Sequence, residues 1–62
     1  MTGIREINEK LDRAIFKGVD YNLRGMIATF ILENHGKTYE LEVSPDVDED
    51  VVLLELHLKE RR

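Results

Sequence analysis

Residues Met26 to Val43, reading MIATFILENHGKTYELEV, limit what this chain can fold into more than any other stretch. They have the form of a β-hairpin whose two arms differ in kind. The second arm alternates, with Tyr39, Leu41 and Val43 on one face and Thr38, Glu40 and Glu42 on the other. That is the period-two pattern of a strand with one side in the core and one in water. The first arm is apolar on both sides, with Met26, Ala28, Phe30 and Leu32 on one and Ile27 and Ile31 on the other. Such a strand needs cover on both faces. A chain of 62 residues hides only roughly 60% of its unfolded surface on folding, so it has little material to supply that cover twice.

The hairpin loop sets which faces meet. Asn34-His35-Gly36 suits a three-residue loop with glycine in the left-handed position, and this is the preferred reading. It places Glu33 opposite Lys37, Ile31 opposite Tyr39, Thr29 opposite Leu41 and Ile27 opposite Val43. Phe30 then faces Glu40, and Ala28 faces Glu42. A two-residue His35-Gly36 loop shifts the register by one and exchanges the faces of the first arm.

On either side of the hairpin the pattern changes. Ile4, Ile7, Leu11, Ala14 and Ile15 recur at helical spacing, with charged residues between them, which predicts an amphipathic helix over 4–17. Glu6–Lys10 and Glu9–Arg13 are favourable four-residue pairs on it. Lys17 suits its C-terminal dipole, and Gly18 the position just past its end. Residues 19–25 read as a connection into the first strand, with Gly25 at a bulge or kink. Residues 44–50, Ser-Pro-Asp-Val-Asp-Glu-Asp, read as a polar connection. In 51–59, Val52, Leu54, Leu56 and Leu58 alternate with Glu55, His57 and Lys59, which predicts a third strand. The competing helix, with Ser44 as cap and Pro45 at its first position, strands Val52, Leu53 and Leu56 on its outer side. The expected fold is α+β, a single small domain with one N-terminal helix on an antiparallel three-stranded sheet (αβββ), with αββα as the alternative.

Composition excludes several functions. The sequence has no Cys, so disulfides and thiolate metal sites are absent. That fits a reducing compartment, as does the lack of a signal-peptide-like apolar core or a membrane-length apolar run, and the expected location is cytoplasmic. The net charge of −4 is unevenly spread: residues 26–58 carry one basic and eight acidic groups. Nucleic-acid binders gather Lys and Arg instead, so this stretch repels nucleic acid and suits a basic protein.

Candidate chemistry is sparse. The run Asp46-Val47-Asp48-Glu49-Asp50 has acids at alternate positions, as a calcium loop begins. It then places Val51 where the turn needs Gly and His57 where a bidentate Glu belongs. His35 and His57 fall on different elements. The lone Ser44 precedes a proline, and the four glycines are scattered at 3, 18, 25 and 36. No nucleophile stands beside a base. The expectation is therefore a non-enzymatic protein-interaction module with no cofactor and no metal. It would associate with itself, or dock on a basic protein, through a second sheet face. The residues expected there are Met26, Ala28, Phe30, Leu32 and Leu53, flanked by Glu40 and Glu42. An acidic inhibitor of a basic partner and a ligand- or metal-binding oligomer are the alternatives.

Overall fold

The computed structural model describes residues 2–48 and 51–61. One short helix, α1 (Ile4–Lys10), precedes four strands: β1 (Ile15–Asn22), β2 (Ile27–Asn34), β3 (Lys37–Asp48) and β4 (Val51–Arg61). They form one antiparallel sheet in the order β1-β2-β3-β4. The expected three-stranded sheet is thus corrected to four strands, while the strand expected over 51–59 is present as β4.

The additional strand, β1, takes the last three residues read as helix, Ile15 to Lys17, together with Gly18 and the first part of the 19–25 connection. α1 stops at Lys10, where the Asn34 side-chain amide donates to the carbonyls of Lys10 (2.8 Å) and Asp12 (3.0 Å). These take up acceptors that a continuing helix would have used. Arg13 then adopts φ 60°, and the chain turns into Ile15-Phe16-Lys17-Gly18-Val19-Asp20-Tyr21. β-Branched and aromatic residues there fit a pleated surface better than a helix. Of the two expected helix pairs, Glu6–Lys10 forms at 3.5 Å, whereas Arg13 lies beyond the helix. Gly18 adjoins a β-bulge between Phe16 and Gly18, not a helix end.

The 19–25 connection is likewise corrected. Residues to Asn22 belong to β1, and the turn to β2 is held by Asn22 Oδ1, which accepts from the backbone N–H of Arg24 (3.0 Å) and Gly25 (3.4 Å). Such side-chain-to-backbone bonds are the usual reason asparagine opens a turn.

The β2–β3 hairpin closes through the two-residue His35-Gly36 loop, not the three-residue one. Asn34 pairs with Lys37, and both loop residues have positive φ (53° and 72°), as a type I′ turn requires. Asn34 remains in the strand, where its amide reaches α1. The register therefore moves by one: Leu32 faces Tyr39, Phe30 faces Leu41, and Ala28 faces Val43. The apolar side of each arm meets the apolar side of the other.

β3 also runs through Pro45, correcting the 44–50 connection as far as Asp48. Pro45 pairs with Leu54 of β4, but the β2 pairing ends at Val43. Beyond that point β3 has a free side, where a residue without an N–H is tolerated.

Candidate functional site

The corrected register sorts the sheet into two unlike faces. Pairing places Phe16, Val19 and Tyr21 of β1 beside Ala28, Phe30 and Leu32 of β2. These continue into Tyr39, Leu41, Val43 and Pro45 of β3 and Leu54, Leu56 and Leu58 of β4. This face is apolar across all four strands, apart from Asn34, Lys37 and Glu60 near the His35-Gly36 turn.

The opposite face is mixed: it carries the charged groups of β3 and β4 together with Ile15, Ile27, Ile31 and Leu53. Glu40 lies across from Lys59, and Glu42 across from His57. The ion pairs run diagonally, Lys59 to Glu42 at 3.1 Å and Arg61 to Glu40. His57 stands 3.7 Å from Glu55. Groups this exposed gain little from pairing, since solvent screens them.

Cover for the apolar face comes from α1 and reaches one end only. Thr2 anchors the helix start on the outer edge of β4: its N–H donates to Leu56 O (2.8 Å), and its Oγ1 accepts from Leu58 N–H (2.8 Å). Asn34 anchors the helix end. Between these ties, Ile7 and Tyr39 are the buried hydrophobic side chains among the described residues. Away from the helix, Phe16 (59%), Val19 (56%), Tyr21 (56%) and Leu54 (64%) stay largely exposed.

Overall dimensions agree. The accessible surface is 5103 Å², against about 4,100 Å² for a compact monomer of this mass. The radius of gyration is 12.4 Å, against about 10.6 Å expected for this length.

The expected surface residues are therefore divided. Ala28, Phe30 and Leu32 lie on the apolar face, which is the face the helix covers in part and not the second, helix-free face expected. Glu40, Glu42 and Leu53 lie on the other, and Met26 sits in the β1–β2 turn at φ 54°. The anticipated pairing of Phe30 with Glu40 and Ala28 with Glu42 does not occur, and both glutamates are engaged by β4 cations. Sequence reasoning missed Phe16, Val19, Tyr21, Leu54 and Leu56 as members of the surface. The signal was the spacing of Val19 and Tyr21, which has the period of a strand.

Other chemistry is thinly supported. A shallow depression on α1 is lined by Ile4, Arg5, Asn8, Glu9 and Asp12, with neither a nucleophile nor a histidine. No cluster of three or more metal-ligating side chains occurs among the described residues. Glu49 and Asp50 of the acidic run, and the side chain of Asp48, lie outside them. Among the described residues, no helix is long and apolar enough to cross a membrane. Comparison with family models, with curated proteins and with solved structures found no match to this chain.

Proposed function

We propose that this chain is a small, non-enzymatic protein-interaction module that associates with a second copy of itself, driven by the apolar sheet side chains that its short helix leaves uncovered. One observation carries the reading: a face that is apolar over four strands has a single two-turn helix as cover. The surface in excess of a compact monomer is roughly 1,000 Å² by the scaling above, close to the ~800 Å² per partner of a standard interface. Desolvation of apolar groups, at about 25 cal/mol per Å² before association costs, supplies the drive. The lack of Cys suits a cytoplasmic setting.

A basic partner is the weaker reading, because Glu40 and Glu42 already hold Arg61 and Lys59. Sedimentation equilibrium across a hundredfold range of concentration tests the proposal. The expected result is a dimer whose dissociation constant changes less than threefold between 0.1 and 1 M salt, because screening acts on charge and not on apolar contact. A monomer at millimolar concentration overturns it. A steep loss of affinity with salt points instead to a charged interface.

A further inference from the structure

We infer that the second copy attaches along the outer edge of β1, antiparallel and centred on Val19, to make one continuous eight-stranded sheet. This deepens the self-association reading and rests on it.

The two edges of the sheet are not alike. On the β4 edge, Thr2 occupies the outward groups of Leu56 and Leu58. The β1 edge carries no such strap among the described residues. There the Tyr21 N–H donates to the side chain of its own neighbour, Asp20, at 3.0 Å, so it points away from β2. Val19, two residues earlier, presents its N–H and C=O the same way, since a strand alternates. An open row of this kind is a template for another strand.

Side-chain exposure points to the same place. Ile31 lies on the face without a helix, yet it is only half-exposed, because strands flank it on both sides. Ile15 lies on that same face at the edge and is 60% exposed. What β1 lacks is a lateral neighbour, and a strand laid beside it shelters residues on both of its faces at once.

The sequence of β1 also selects a register. With Val19 opposite Val19 of the second copy, Gly18 meets Asp20, and the bulged Phe16-Lys17 pair meets Tyr21. Apolar residues then stay on the apolar face. Centring on Asp20 sets two carboxylates opposite each other, which is destabilising. Centring on Gly18 sets Asp20 against Ile15. Lys17, which could blunt the edge, lies at the bulge and is drawn to Glu33 of its own chain at 3.8 Å.

In this register Gly18 and Asp20 form a non-hydrogen-bonded pair, in which Cα atoms approach to about 4.5 Å. The test is an isotope-filtered NOE experiment on a mixture of labelled and unlabelled full-length chain. An intermolecular contact between the Hα atoms of Gly18 and Asp20 is the expected result. Val19→Pro removes an outward-facing donor without breaking a bond of the β1–β2 ladder, so it should weaken the dimer at least tenfold in sedimentation while the ¹⁵N spectrum stays dispersed. If Val19→Pro unfolds the chain, the NOE on the unaltered protein still decides. A dimer whose intermolecular contacts come from Val43 and Leu54 instead overturns the β1 edge and leaves self-association standing. A monomer at millimolar concentration overturns both.

Discussion

The two ends of the apolar face show what a short helix can and cannot do. α1 is tied to Asn34 beside the His35-Gly36 turn and, through Thr2, to Leu56 and Leu58 midway along β4, and between these ties Ile7 and Tyr39 are buried. At the other end, where β3 and β4 run on past β2, Leu54 is 64% exposed with the same strand chemistry beneath it. A seven-residue helix is too short to be stable in isolation. It persists because it is fastened at both ends, and it covers only what lies between the fastenings. One end of the face therefore holds the monomer together, and the other lies open.

The sharpest way to break that contrast is to truncate one large apolar side chain at each end. Tyr39→Ala empties the buried end and should cost about 3 kcal/mol, which is most of what a chain this small has in reserve. Urea denaturation at low micromolar concentration should show it largely unfolded. Leu54→Ala should cost under about 0.5 kcal/mol under the same conditions, as for other exposed positions, and should leave the dimer largely intact, because Leu54 lies on β4, at the opposite edge of the sheet from β1. Equal losses for the two would mean that the ends do not differ in role.

A smaller effect isolates the helix fastening. Asn34→Ala removes both bonds to the carbonyls at the end of α1 and leaves the type I′ turn in place. The expected loss is about 1 kcal/mol. Hydrogen exchange at the Leu11 and Ala14 amides, which close the helix end and the turn after it, should rise more than exchange in β2 or β3. A uniform rise would place Asn34 in the global fold and not in the fastening.

The contrast also explains which parts of the fold were legible in the sequence. The two arms of the hairpin, the start of the helix and the strand after residue 50 follow from local periodicity. β1 did not, because Ile4, Ile7, Leu11, Ala14 and Ile15 fit a helix spacing that Asn34, distant in sequence, cuts short. The turn was misread for a related reason. Asn34 looks like a loop residue until its work at the helix end is known. Had the matching of apolar faces outranked loop preference, Phe30 would have been set against Leu41 and not Glu40. Pro45 misled because a proline argues against a strand interior, and only the topology reveals that β3 is an edge there. Ala28, Phe30 and Leu32 were placed on one surface from sequence alone. Leu53, Glu40 and Glu42 were put there by the mistaken register.

The smallest expected effect concerns the charged face, which takes no part in the contrast between the two ends. Glu42 and Lys59 are 3.1 Å apart, but the lysine side chain is 61% exposed. A double-mutant cycle with Glu42→Gln and Lys59→Gln, read by urea denaturation, should give a coupling of about 0.2–0.5 kcal/mol. That coupling should fade by 1 M salt, because exposed charges are screened. The dimer constant should move by less than twofold in either single variant, since neither side chain lies on the apolar face or on the β1 edge. A coupling above about 1 kcal/mol that survives high salt would require the pair to be desolvated in the working protein. The charged face would then be covered by a second copy as well, and the division between an associating face and a solvated one would fail.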